Sequence, residues 1–418
     1  MTVIQSRAES RGRATATLRV GLFGNLGTGN IGNDASMEAV LGYLRSEYPH
    51  AQLDVMSGGA SQVTDRYGLP AVRMFWYQGG FGAMSIPLKV LGKAVDVIRT
   101  ASWVRKHDVI IVPGMGVLEA SLPLRPWSFP YALFLLSAWG RVFGTKVALV
   151  SVGAGAISQR LTRWLFNWAA RLASYRSYRN IGSREAMRER GLDVSLDHVY
   201  PDLAFGIATP PYDAGDIRNV CVGVMEYRGS NNDRKRAAEI YEAYVASMMS
   251  FVRWLVDEGR NVTLLIGDTN GSDDRVVQEI MADLHSSRPG LAESRVVAAQ
   301  VSSFADVISA IQPATSVVAI RFHNVLAALR LCKPTISIGY SVKHEALMAD
   351  MGMDGFCPSV YSLDVNQLIQ QFTDLENHSA LVRQTLTERN AGNEKLLCEQ
   401  FEELSAVLFG NGEGIDYE

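Results

Sequence analysis

Four side chains able to do chemistry stand close together in the second half of the sequence. In SVVAIRFHNVLAALRLCKPTISIGYSVKHEAL, residues 316–347, a β-branched run ends at Ile320, and Arg321, Phe322 and His323 open an apolar helix. Beyond Pro334 a second such run leads to Tyr340 and Lys343 in the corresponding position. Two adjacent strand tips would then present a guanidinium, an imidazole, a phenol and an ammonium. Arg grips phosphate or carboxylate through paired hydrogen bonds, Lys adds a point charge, and His moves a proton near neutral pH. The set reads as an anion site with an acid–base group beside it. Each member also has a plainer reading: a His at a helix start can cap or pack, and Tyr340 can be a core aromatic.

A second candidate lies near the amino terminus. GNLGTGNIGNDAS, residues 24–36, joins the first strand to an amphipathic helix and carries Gly27, Gly29 and Gly32 in G-x-G-x-x-G spacing, with Asp54 about where a ribose-binding acid would fall. The loop starts late after its strand, however, is dense in Asn25, Asn30 and Asn33, and Asp54 sits inside its own strand, which argues against a dinucleotide. The reading that survives is a cradle built on Asn25, Gly27, Asn30, Gly32 and Asp34, whose N–H groups at a helix N-terminus accept an anion or a sugar hydroxyl. The alternative is a tight strand-to-helix turn.

Short β-branched runs alternating with longer helical patterns position these residues, as in βαβ units with a parallel sheet. In the first half strands are expected at 18–24, 52–56, 71–77, 108–114, 146–153, 178–183 and 198–205. A second set starts at NVCVGVM (219–225) and runs through NVTLLIG, RVVAA, SVVAI and TISIG, with helices at about 235–258 and 273–285. This divides the chain into a loose arm (1–17), a Rossmann-like domain (18–205), a Pro/Gly/Asp linker (206–216), a second Rossmann-like domain (217–361), and two helices with an acidic tail (362–418) that pack over the junction. The fold class is α/β: two doubly wound sheets facing across a cleft, where ligands bind at the carboxyl ends of the strands.

With 418 residues, 47% hydrophobic and 20% charged, and a mean hydropathy of +0.04, the chain is too apolar for disorder and too interrupted for a multispan membrane protein. Its four cysteines form no C-x-x-C pair, so neither a disulfide framework nor a zinc site is expected, and a reducing cytoplasm fits. No metal is expected, since no H-E-x-x-H or Cys/His cluster occurs. The net charge of −3 and the lack of a basic motif with base-reading aromatics argue against a nucleic-acid partner. That average conceals a segregation. Residues 120–184 hold nine basic residues, no Asp or Glu, and four of the seven tryptophans, leaving 31 basic against 43 acidic residues elsewhere. RLTRWLFNWAARLASYR (160–176) is an Arg-flanked amphipathic pattern. A Trp/Leu stripe turned to the core is one reading of it, and peripheral contact with anionic lipid is the other.

GNLGTGNIGNDA, IIVPGMGVLE, IGSREAMRERG, VYPDLAF and above all RFHNVLAALRLCKPTISIGYSVKHEAL resemble, in order, the motifs of the polysaccharide pyruvyl transferase family. The resemblance implies a GT-B-like fold and transfer of pyruvate from phosphoenolpyruvate to a saccharide as a ketal, in the making of an exopolysaccharide or cell-surface glycan, with no cofactor. Carried over by motif, Arg321 and His323 lie at the donor site, Lys343 follows in the matching tail, and Arg184, in Ser-Arg-Glu where the family usually shows Arg-Asp, is a further phosphate or carboxylate ligand. With Tyr340 these form the expected phosphoenolpyruvate site, and His323 is the expected proton shuttle. The sequence departs from the family at Asn33, where Asp is usual, at Pro113 and Met115 in a loop normally rich in glycine, and at Cys332, where Gly is common. Two other classes share the architecture: a glycosyltransferase with a nucleotide-sugar donor, and a non-catalytic sugar-binding protein.

Overall fold

The apolar runs VGLF at 20–23 and VIIV at 109–112 are buried almost throughout, as strands covered by helices on both faces must be. A computed structural model describes residues 17–77, 85–119, 126–211, 216, 218–269 and 272–410. The expected arm, except Thr17, and the acidic end of the chain beyond Gly410 lie outside the described residues.

The first sheet comprises β1 (Arg19–Gly24), β2 (Gln52–Ser57), β3 (Ala71–Arg73), β4 (Val109–Pro113), β5 (Lys146–Val152), β6 (Tyr175–Tyr178) and β7 (His198–Val199). Between them run α1 (Ile31–Glu47), α2 (Ala60–Tyr67), α3 (Ser85–Val104), α4 (Phe129–Phe143), α5 (Arg160–Leu172) and α6 (Ile181–Glu189). The second sheet comprises β8 (Asn219–Gly223), β9 (Asn261–Leu265), β10 (Val296–Ala298), β11 (Ser316–Ala319) and β12 (Thr335–Ser337). Its helices are α7 (Ala237–Asp257), α8 (Ser272–Ser287), α9 (Pro289–Arg295), α10 (Phe304–Ile311), α11 (Phe322–Arg330) and α12 (Val342–Asp350), and α13 (Val365–Asn377) and α14 (Ser379–Phe409) close the chain.

Strand orders are β3-β2-β1-β4-β5-β6-β7 and β10-β9-β8-β11-β12, and every pair is parallel. Each sheet therefore reverses its winding once, between β1 and β4 and between β8 and β11, the place where such sheets open a crevice. Two strand readings need correction. The stretch 71–77 is a strand only to Arg73, and 198–205 pairs only at His198–Val199 before a 3₁₀ turn over Leu203–Gly206. The reading of 178–183 as a strand is overturned: β6 ends at Tyr178, and Asn180 caps α6 by accepting the Ser183 N–H at 2.8 Å.

The last helix ties the two units together. Asn390 of α14 donates to the Leu329 carbonyl at 2.8 Å in the second unit. Ten residues on, the fully buried Gln400 donates to Ser151 and Ser177 of the first sheet at 2.8 and 2.9 Å. Across the opposite rim, the Thr269 N–H donates to the Gly29 carbonyl at 3.1 Å and Arg66 to the Ser302 carbonyl at 2.9 Å. Among the described residues no helix is long and apolar enough to cross a membrane.

Candidate active site

Residues just beyond strand ends in both sheets line one cleft of about 300 Å³. Asn25, Asn30 and Asn33 follow β1, Glu119 follows β4, and Arg179 follows β6. From the second sheet come Gly267 after β9, Arg321, Phe322 and His323 after β11, and Tyr340 and Lys343 after β12.

The imidazole of His323 lies directly on the backbone of Gly32 in the first turn of α1, so close that a Cβ there would fall 1.9 Å from its Nδ1. Asn30 caps that helix by accepting the Gly32 and Asn33 N–H groups at 3.1 and 3.2 Å, and the Asn33 amide donates to the Asn25 carbonyl at 3.1 Å. The asparagine-rich loop of one unit thus floors the site and seats the histidine of the other. Burial, reinforced by Arg179, Lys343 and Arg321 against the pull of Asp202, pushes the His323 pKa down to about 4. The imidazole is therefore neutral at physiological pH, a base able to accept a proton.

Three cations surround it, two of them held by carboxylates. Arg321 donates Nε and Nη2 to the fully buried Asp273 at 2.8 and 2.7 Å, and its stem packs on Gly267, where a Cβ would approach within 2.8 Å. Asp273 also accepts the N–H groups of Glu226 and Gly267 at 3.1 and 3.3 Å. Arg179, buried, donates Nη2 to Glu119 at 2.6 Å, has Nη1 3.6 Å from Asp202, and lies 5.4 Å from the centre of the Phe322 ring. Burial would lower the pKa of Arg179 and raise that of Glu119, but their pairing outweighs it on both sides: Arg179 goes up, and Arg179, Lys343 and Arg190 together bring Glu119 down. Lys343 lies 5.5 Å from both the Phe322 and Tyr340 rings and has no ion-pair partner among the described residues.

The structure brings His323, Arg321, Lys343, Tyr340, Asn25 and Asn30 into the cleft, and Gly32 beneath it. Arg184 is not among the lining residues: it lies within α6, and the cation that reaches the cleft from this segment is Arg179 at the strand tip. Asp34 and Gly27 serve the loop itself. The buried Asp34 carboxylate accepts the Gly27 N–H at 2.7 Å, and Gly27 takes a φ of 63° against Gly59. Asp54, within β2, accepts from Trp103 Nε1 at 2.8 Å and lies 3.0 Å from His107 Nε2, both through Oδ1, and is not among the residues lining the cleft. Two departures from the family fall where the backbone is left-handed, Met115 at φ 63° and Cys332 at φ 53°, the region that glycine enters without strain. Among the described residues no group of three or more His, Cys, Asp or Glu side chains is placed to hold a metal ion.

The family model described as polysaccharide pyruvyl transferase matches residues 30–342 and so includes every lining side chain except Asn25 and Lys343. The chain belongs to the polysaccharide pyruvyl transferase family, and it is a transferase. No curated protein matches its sequence. Solved structures show the GT-B fold. A Listeria monocytogenes protein solved as a candidate UDP-N-acetylglucosamine 2-epimerase is 12% identical, with a TM-score of 0.63 over 96% of this chain and 100% of its own. The UDP-GlcNAc 2-epimerase of Neisseria meningitidis, bound to UDP-GlcNAc, is 11% identical, with a TM-score of 0.59 over 94% and 100%. Acinetobacter baumannii MurG is 13% identical, with a TM-score of 0.50 over 93% and 99%.

A second histidine lies behind the first. His344 is fully buried, faces the Tyr340 ring at 4.5 Å and shares a hydrogen bond with Ser337 Oγ at 3.0 Å, and burial, ahead of Lys343 and His323, pushes its pKa down to about 3. Unfolded histidine takes its proton near pH ~6.5. A depressed native pKa means stability that is complete above that value and lost as pH falls toward the native one. Unfolding free energy should therefore drop from pH ~6.5 down to about 3. His344→Phe should flatten that slope by up to ~1.4 kcal/mol per pH unit, one proton's worth, in urea melts across the range. An unchanged slope would show that His344 is not neutral in the native protein.

Proposed function

We propose that this family member transfers the pyruvyl group of phosphoenolpyruvate to a saccharide as a ketal, in the building of a polysaccharide or cell-surface glycan. The observation that carries the reading is His323, seated on Gly32, sharing one cleft with Arg179, Arg321 and Lys343 and with the side chains of Asn25, Asn30 and Asn33. Phosphoenolpyruvate brings a phosphate and a carboxylate within a few ångströms of one another. Several cations must meet it, and in this reading Arg321 and Lys343, which line the cleft, do so, with the charge of Arg179 behind them. Amides that both donate and accept, at Asn25, Asn30 and Asn33, suit the hydroxyls of a sugar ring.

In this scheme His323 takes the proton of one sugar hydroxyl as its oxygen bonds to C2, and delivers that proton to the methylene carbon, which becomes a methyl group. The carbon–oxygen bond to phosphate then breaks, with the electron pair leaving on phosphate toward the cations. A second sugar hydroxyl bonds to C2, and its proton departs with the phosphate. The histidine starts and ends neutral.

The test is incubation of the protein with phosphoenolpyruvate and a panel of saccharides, following phosphate release and the saccharide's mass. Acceptor-dependent phosphate release, with a gain equal to pyruvic acid less one water, is expected. Lys343→Ala should raise KM for phosphoenolpyruvate by about ten-fold, the worth of one charge-assisted hydrogen bond. Heat of binding with UDP- or GDP-sugars and none with phosphoenolpyruvate would overturn the reading in favour of a nucleotide-sugar donor.

A further inference from the structure

The basic, tryptophan-rich stretch resolves into a surface. Three of its nine cations are engaged internally: Lys146 donates to the Val407 and Leu408 carbonyls, Arg176 is paired with Asp197 and Arg179 belongs to the cleft. Helix α5 packs through Leu165, Phe166, Ala169 and Ala170 and turns Arg160, Leu161, Arg163, Trp164, Trp168 and Arg171 to solvent. The reading with a tryptophan stripe turned to the core therefore fails for this helix: Trp164 and Trp168 are 48% and 39% exposed.

These rings continue across the neighbouring helices. Trp168 meets Trp164 at 6.3 Å, Trp164 meets Phe134 of α4 at 5.4 Å, and one turn back Tyr131 meets Trp127, 56% exposed, at 5.6 Å. Tyr131 also donates to the Lys93 carbonyl of α3 at 3.2 Å, and α3 exposes Leu88, Val90, Leu91 and Ile98. Over all three helices there is one acidic residue, Asp96, buried and paired with Lys93 and Arg99. Phe129, two residues past Trp127, lines the cleft.

We propose that the face formed by α3, α4 and α5 docks on an anionic lipid bilayer. Exposed indole rings among arginines, with no exposed carboxylate on the helices, match the interface of an anionic leaflet: ring bodies enter the headgroup boundary and guanidinium groups meet phosphate. A symmetric contact with a second copy fits less well, since a two-fold axis would set this basic face against itself. Because the ridge starts beside the cleft wall, a lipid-borne molecule on that surface lies near the cleft. The inference rests on this surface and not on the donor chemistry proposed above.

The test is cosedimentation of the full-length protein with vesicles of phosphatidylcholine alone or enriched in phosphatidylglycerol, at about 0.05 M and about 0.5 M salt. Binding to phosphatidylglycerol vesicles at low salt, weakened at high salt and much lower on neutral vesicles, is expected. Arg160→Ala with Arg163→Ala should lower partitioning about 25-fold, some five-fold per arginine. Trp164→Ala with Trp168→Ala should lower it at both salt concentrations. The two arginines are exposed and lie outside the cleft lining, so their replacement should leave the melting temperature and phosphoenolpyruvate binding at wild-type values. No sedimentation with phosphatidylglycerol at low salt, or tryptophan variants that bind like wild type, would overturn the proposal. So would a wild-type dimer in solution that the tryptophan variants convert to monomer.

Discussion

Gly32→Ala should reduce turnover as severely as removing His323 itself, by a factor of ~10²–10⁴ in kcat/KM for phosphate release, the worth of a positioned acid–base group. A Cβ at position 32 would lie 1.9 Å from Nδ1 and 2.0 Å from Cε1 of His323, closer than any van der Waals contact. Backbone cannot yield there, because the same turn is pinned by the Asn30 cap. The imidazole must leave its seat. Phosphoenolpyruvate should still bind, since Arg321 is held by Asp273 and Lys343 approaches from α12, so calorimetry should give a Kd within a few-fold of wild type. Gly42→Ala, in the same helix with nothing within 4 Å of the new methyl, is the matched control. It should keep full activity and gain ~0.5–1 kcal/mol from the loss of glycine's unfolded-state entropy. Wild-type turnover in both Gly32→Ala and His323→Ala would remove His323 from the chemistry, whereas His323→Ala inactive beside an active Gly32→Ala would show that the ring can move and still work.

Why that seat was illegible in the sequence follows from where its parts come from. Gly32 and His323 are far apart in the chain and stand on helices that follow strands of different sheets, α1 after β1 and α11 after β11. Each strand tip could be read locally: alternating β-branched runs mark β1, β4, β8 and β11, and the rule that ligands gather beyond parallel strands picked out Arg321, His323, Tyr340 and Lys343. What local pattern could not supply is the set of carboxylates that hold the cations. Asp273 opens α8 and Glu119 follows β4, and nothing in their neighbourhoods names Arg321 or Arg179 as partner. One miss did have a signal. YRNIGS carries the strand-favouring Tyr178 and Ile181, but Asn180 is a preferred cap residue standing directly before Ile181, and reading it so ends β6 at Tyr178 and leaves Arg179 at its tip. Of the two readings of the α5 tryptophans, the core-facing one fails for a different reason. A 3.6-residue period shows that one face is apolar, yet here Leu165 and Phe166 fill the core while Trp164 and Trp168 sit on the shoulder toward solvent.

The second large effect discriminates between the two arginines of that segment. Arg179→Lys should lower kcat/KM by about 10²-fold, while Arg184→Ala should stay within about three-fold of wild type. Lysine keeps the charge of Arg179 but not its planar fork, which in the native site spans Glu119 on one side and Asp202 on the other while facing Phe322. A shorter side chain ending in one point charge does not reproduce a fork whose Nη2 and Nη1 face different carboxylates, so the buried Asp202, whose Oδ2 already has no hydrogen bond, is held more weakly. Its field then acts on the neighbouring His323, for which Asp202 is the principal influence favouring the protonated form. Weakening the Arg179–Asp202 pairing should therefore raise the His323 pKa and move the acid limb of the kcat/KM profile to higher pH, an effect that lost packing alone would not produce. Arg179→Ala goes further: breaking a buried pair costs ~3–5 kcal/mol, so melting temperature should fall together with activity, and the Lys variant is the one whose kinetics report on the site. Equal losses from Arg184→Ala would restore that residue to the donor site. An Arg179→Lys enzyme with an unshifted acid limb would show instead that Asp202 does not set the protonation of His323.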